Sequence, residues 1–88
     1  MKRVRVRIHG RVQGVFFRDS SRQQAARRGV AGRARNLPDG RVEVVLEGPP
    51  DEVAAVLAWL RQGPAYARVE TVEVTEEPVE GLRGFEIG

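Results

Sequence analysis

Residues 3–9 read Arg3-Val4-Arg5-Val6-Arg7-Ile8-His9, and the strict alternation puts Val4, Val6 and Ile8 on one side of an extended chain and the four basic residues on the other. This is a strand with one buried face. A glycine-bracketed loop follows, Gly10-Arg11-Val12-Gln13-Gly14, and then Val15-Phe16-Phe17. From Arg18 to Arg28 there is no β-branched residue, and Ser20 with Gln23 and Ser21 with Gln24 have the spacing of capping pairs. The pattern predicts a helix closed by Gly29, with a thin apolar stripe at Phe17, Ser21 and Ala25.

Working outward, Val30 to Arg35 is a weaker strand that leads into Asn36-Leu37-Pro38-Asp39-Gly40, a hairpin signal. Its partner is Arg41 to Glu47, with Val42, Val44 and Leu46 facing in and Glu43 and Glu47 facing out. Gly48-Pro49-Pro50-Asp51-Glu52 opens a second helix, buried along Val53, Val56, Leu57 and Leu60 and stopped by Gly63-Pro64. Val69 to Thr75 forms another strand, and the slip in its alternation near Glu70-Thr71 predicts a bulge. Phe85 to Ile87 is a short last strand.

The order βαββαβ plus a short carboxyl-terminal strand fits an α+β, ferredoxin-like split βαβ sandwich. An antiparallel sheet is expected, with two helices on one face. In that topology Arg3, Arg5 and Arg7 face Glu43, Glu47 and Glu73 across the open side.

Eighty-eight residues with 41% hydrophobic and 31% charged positions make one domain, residues 1–88, whose core is too small to enclose a ligand. The absence of cysteine excludes disulfides, thiolate metal sites and cysteine nucleophiles. A single histidine, His9, argues against a His-pair metal site, and it reads as a surface residue at a strand end. No apolar run approaches a bilayer span and the amino end has no leader pattern, so no membrane partner and a cytoplasmic location are expected.

Net charge is +3, but residues 1–41 carry Lys2 and eleven Arg against Asp19 and Asp39, whereas residues 42–88 carry three Arg against ten acids. Such asymmetry invites a nucleic-acid reading. Neighbouring basic and acidic strands neutralise each other, however, and the expectation is no nucleic-acid partner.

The loop from Gly10 to Arg18 joins a strand to a helix start, where unpaired N–H groups and the positive end of the helix dipole gather. No acid occurs before Asp19, Gly14 permits a nest of N–H donors, and Arg18 offers a bidentate fork to an anion. Taken alone, this is also how an ordinary connector with a solvated arginine reads. Asn36 alone reads as a turn residue, Phe16 and Phe17 as packing aromatics, and Ser20 and Ser21 as caps.

The string Gly10-Arg11-Val12-Gln13-Gly14-Val15-Phe16-Phe17-Arg18 closely resembles G-x-V-Q-G-V-x-(F or Y)-R, a signature of the acylphosphatases, small enzymes that hydrolyse acyl phosphates. Gly32-Arg33-Ala34-Arg35-Asn36-Leu37-Pro38-Asp39-Gly40-Arg41-Val42, with Gly48 beyond it, is similar to the family's second signature. Arg33 departs from it, because an aromatic residue usually stands there. The resemblance implies that Arg18 binds the phosphate, that backbone amides of Gln13, Gly14, Val15, Phe16, Phe17 and Arg18 cradle it, and that Asn36 orients the attacking water. It also implies a small acyl phosphate as substrate; the same cradle and Arg18 should accept inorganic phosphate, product and inhibitor, and no cofactor, no metal and a monomer are expected.

Such a sparse set of groups is chemically adequate. The leaving group is a carboxylate whose conjugate acid has a pKa of about 4, so it departs without a general acid. What remains is to hold charge and to place a water in line. The alternative from another class is a binding module on the same sandwich, because a fold alone does not fix function. An RNA-reading sheet would display stacking aromatics on its central strands, where this sequence has Arg, Glu and Val45.

Overall fold

The alternation at Val4, Val6 and Ile8 builds the central part of a sheet in the computed structural model, which describes residues 1–88. The elements are β1 (Lys2–Arg11), α1 (Phe17–Arg27), β2 (Ala31–Asn36), β3 (Val42–Gly48), α2 (Pro50–Leu60), β4 (Arg68–Glu77) and β5 (Phe85–Ile87). The sheet order is β4-β1-β3-β2-β5. The first four strands pair antiparallel, as the split βαβ pattern requires. The fifth differs from the expected all-antiparallel sheet: β5 runs parallel to β2 through Gly32–Phe85, Arg33–Glu86 and Ala34–Ile87, which makes the sheet mixed. The cause is topological. The chain leaves β4 at one edge, passes Glu47 on the face opposite the helices and enters the opposite edge from the end where β2 begins.

Both helices cover one face. Val4, Val6 and Ile8 meet Val42, Val44 and Leu46 there, beneath Phe17, Ala25, Val53, Val56 and Leu60. Burial of such side chains contributes roughly 1.5–3 kcal/mol each. The rings of Phe17 and Trp59 approach to 5.9 Å between centroids at 53°, tying α1 to α2. No helix is long and apolar enough to cross a membrane.

The bulge lies where the alternation slips. His9 pairs with Thr71 and Gly10 with Val69, so Glu70 is the extra residue. Gly10 sits at φ 133°, and a Cβ there would lie 2.0 Å from the Arg68 carbonyl oxygen, so only glycine fits this contact. β1 then runs on through Arg11, beyond the predicted end at His9.

Other expectations need correction. α1 starts at Phe17 rather than Arg18, its N-cap is Phe16 in the left-handed region, and no side chain caps it. Ser21 is buried and its Oγ donates to the Phe17 carbonyl at 2.7 Å, a back-bond within the helix rather than a cap. Phe16 is not a packing aromatic: it is 79% exposed. The N-cap conformation turns its side chain away from the core.

Glu43 and Glu47 point to the open side as predicted, yet both are buried, as is Val45. The glutamates are covered by their partners. Glu43 accepts from Arg5 at 2.8 Å, from Arg7 at 3.1 Å and from Arg35 at 3.1 Å. Glu47 accepts backbone N–H groups of Glu80, Gly81 and Leu82, which straps the β4–β5 connection across the face. Arg3 and Arg5 also reach Glu77, while Glu73 pairs with His9 and Arg41. The basic stripe of β1 is thus largely matched in place.

Candidate active site

At the end of the sheet where β1 finishes and β2 turns toward β3, a cleft of about 270 Å³ opens. It is lined by Val12, Gly14, Phe16, Phe17, Arg18, Asp19, Asn36 and Ile87. Residues more than twenty positions apart meet because β1 and β2 both end at this side of β3, opposite Val42 and the residues just before it. Of the residues singled out in the sequence, Gly14, Phe16, Phe17, Arg18 and Asn36 line the cleft. Gln13 and Val15 do not, and Val15 packs into the core.

The loop itself is built from donors. No backbone N–H from Gln13 to Phe16 meets a carbonyl of the chain, and the first turn of α1 adds the orphan N–H groups every helix start leaves. Gly14 at φ 74° and Phe16 at φ 61° alternate with Val15, so the backbone twice enters the left-handed region within three residues. Such turns curl successive N–H groups into an anion-binding concavity. A Cβ on Gly14 would meet nothing within 4 Å, so the space beside it is open and φ is what calls for glycine.

Arg18 stands at the start of α1, half-buried. Its Nη1 donates to the Gly88 carbonyl oxygen at 2.7 Å, and Gly88 N–H in turn donates to the Ala34 carbonyl at 2.9 Å. One corner of the guanidinium is thereby held, and its other N–H groups have no protein acceptor. Asp19 would oppose an anion at this place, but its carboxylate is drawn along the helix to Arg22 and to Gln23 Nε2, the latter at 3.0 Å.

Asn36 is exposed at the last position of β2, opposite Val42. The turn after it closes without its side chain: Leu37 N–H donates to Arg41 at 2.8 Å, Gly40 N–H to Leu37 at 3.1 Å, and Asp39 Oδ1 accepts Arg41 N–H at 3.1 Å. That backbone bond, reinforced by the Arg41 guanidinium, holds the Asp39 carboxyl below the usual carboxylate range. The Asn36 amide is left free beside the cleft.

Two contacts were not foreseen from the sequence. The Gln13 side chain, expected to matter only through its backbone, spans from the loop to the hairpin, with Nε2 at 2.9 Å from the Leu37 carbonyl and 3.0 Å from that of Arg41. The second is the hold of Gly88 on Arg18. A long amide side chain inside a glycine-bracketed loop is a signal for the first; nothing local marks the second. Arg33, the departure in the second signature, lies exposed opposite Val45 and outside the cleft.

A family model described as Acylphosphatase matches residues 4–87. An acylphosphatase of Rubrobacter xylanophilus is 61% identical over 87 residues, covering 98% of this chain and 79% of that one. One of Thermococcus kodakarensis is 56% identical over 89 residues, covering 99% and 98%. The crystal structure of the acylphosphatase from Bacillus subtilis superposes with a TM-score of 0.96 at 36% identity, covering 100% of this chain and 99% of that one. With an orphan-donor loop, a tethered arginine and an unengaged asparagine converging on one cleft, and with this likeness over nearly its full length, the chain belongs to the acylphosphatase family, enzymes that hydrolyse the carboxyl–phosphate bond of acyl phosphates.

Proposed function

We propose that the phosphoryl group of a small acyl phosphate sits in the 13–18 loop, held by backbone N–H groups and by the free N–H groups of Arg18, and that Asn36 places the attacking water. The observation that carries this reading is the run of unpartnered N–H donors from Gln13 to Phe16 beside a guanidinium held on one corner only. Donors without a protein partner are available to a ligand, and an anion meets them together.

The Asn36 amide oxygen accepts one hydrogen of the water while its N–H group donates to the water or to a phosphate oxygen. The water oxygen bonds to phosphorus as the bond from phosphorus to the acyl oxygen breaks. The carboxylate leaves with that electron pair, and the water's proton passes to a phosphate oxygen. Arg18 and the amides steady the equatorial oxygens, where transition-state charge is greatest. With a leaving group of pKa about 4, neither a general acid nor a metal is needed.

Residues 1–88 act as one domain and as a monomer, with inorganic phosphate as product and competitive inhibitor. Nucleic acid is not a partner on this reading. The stripe that would attract it is paired with Glu43, Glu73 and Glu77, and the exposed aromatics Phe16 and Tyr66 lie in loops off the sheet face. A cysteine-free chain suits a reducing cytoplasm. The test is hydrolysis of benzoyl phosphate with excess chelator, titrated with inorganic phosphate. Turnover that survives chelation and competitive inhibition by phosphate are expected; non-competitive or absent inhibition would contradict a shared phosphate site.

A further inference from the structure

Phe16 is the only residue other than glycine at positive φ, and it is a large apolar side chain left 79% exposed. Each feature is unfavourable for folding. A non-glycine residue in the left-handed region stores of order 1 kcal/mol or more, and asparagine or glycine tolerates it better. An exposed phenyl ring gains little burial to offset that. Neither feature helps the helix, because Phe16 makes no capping hydrogen bond from its side chain.

What the conformation does achieve is placement. Phe16 lines the cleft together with Arg18 and Asn36, and Val12 and Ile87 add apolar surface to it. Its own N–H is one of the unpartnered donors, so the ring is carried by the rim of the proposed phosphate cradle. An acyl phosphate has two ends, and the cradle accounts for one. The acyl group must extend out of the cradle, and the cleft has no charged side chain besides Arg18 and the engaged Asp19 to receive it.

We propose that the Phe16 ring is a platform for the acyl group and that the enzyme selects acyl phosphates with planar or extended apolar acyl groups over acetyl phosphate. The proposal rests on the phosphate-cradle reading above. The left-handed N-cap is the device that turns the ring outward, and its strain is maintained because the surrounding backbone is fixed by β1 and α1. An aromatic acyl group stacks on the ring with offset or tilted geometry, and an aliphatic one covers its face.

The test compares benzoyl and acetyl phosphate in the unsubstituted enzyme, in Phe16→Asn, which tolerates the backbone conformation without the ring, and in Phe16→Tyr, which keeps the ring. Ratios between variants cancel the difference in intrinsic reactivity of the two substrates. For Phe16→Asn, kcat/KM for benzoyl phosphate should fall about 2- to 12-fold more than that for acetyl phosphate, the range of one aromatic pair. Phe16→Tyr should restore the ratio, and inorganic phosphate should remain a competitive inhibitor of both variants, because each keeps the backbone N–H at this position. An equal loss for both substrates, or no loss, with phosphate inhibition intact would overturn the platform alone. Absence of competitive phosphate inhibition in the unsubstituted enzyme would overturn the cradle, and the platform with it.

Discussion

The side-chain amide of Gln13 bridges to the carbonyl oxygens of Leu37 and Arg41, at 2.9 and 3.0 Å, so the loop rich in free N–H groups and the hairpin that begins after Asn36 are tied as one unit. Positioning chemistry depends on such ties, since a misplacement of about 1 Å can cost on the order of 10²-fold in rate.

Gln13→Ala removes both hydrogen bonds and should cost about 1–3 kcal/mol of stability, at 0.5–1.5 kcal/mol per bond. Activity of the folded fraction should also fall, because the distance between cradle and Asn36 is no longer fixed. Gln13→Glu should be worse, since a carboxylate cannot donate to two carbonyls. Urea midpoints and kcat on the two variants check this; unchanged kcat in folded Gln13→Ala would show that the bridge serves stability alone.

Arg18 should be the least replaceable side chain. A hydrogen bond to a charged group contributes roughly 1.5–3 kcal/mol, and in the proposed mechanism this guanidinium also meets charge that develops in the transition state. Arg18→Ala should lose on the order of 10³-fold or more in kcat/KM, by analogy with arginine fingers. Arg18→Lys should recover little: an ammonium that keeps the bond to Gly88 has no planar fork left for the phosphate. Near-full activity of the lysine variant would show that the fork is not used.

Acid should unfold the protein through its open face. At Glu47 burial pushes the carboxyl up, but the N–H groups of Leu82, Glu80 and Gly81 and the charge of Arg3 outweigh it, leaving the group below the ordinary range. At Glu43 burial is likewise outweighed by Arg7, Arg5 and Arg35, and Glu77 is held low by its bonds to Arg5 and Arg3. A carboxyl that is more acidic in the folded state contributes stability that is complete above the unfolded value of about 4.3 and is lost as pH falls through the lower folded value. Melting temperature should therefore be level above about pH 5 and drop below about pH 4. Glu47→Gln should melt lower at neutral pH and show a shallower acid drop; an identical acid profile would remove Glu47 from the account.

The β1 alternation and the bulge near Glu70 were legible in the sequence because each follows from local periodicity, and α1 was legible to within one residue at each end from helix propensity. The burial of Glu43 and Glu47 was not. It depends on arginines from β1 and β2 and on the strap of residues 78–84 crossing the face, contacts made between distant parts of the chain. Phe16 misled for a different reason. Its composition signals core, whereas its backbone conformation, set by the turn into α1, sends it to the surface. The serines misled because the left-handed residue at the N-cap begins the helix before either of them. The loop and Arg18 read equally as an ordinary connector until the family signature singled them out, and Asn36 likewise stood out only through the resemblance, since a turn asparagine is commonplace.

Asn36 therefore bears the central claim, because its side chain supports neither the turn nor the strand. The most direct measurement takes kcat, the inhibition constant for inorganic phosphate and melting temperature together on Asn36→Ala. If Asn36 orients the water, kcat falls on the order of 10²–10³-fold, as when one preorganised transition-state contact is removed, while phosphate inhibition and melting temperature stay close to those of the unsubstituted protein. Retained kcat with a lowered melting temperature would instead make Asn36 a turn residue and contradict the proposed mechanism.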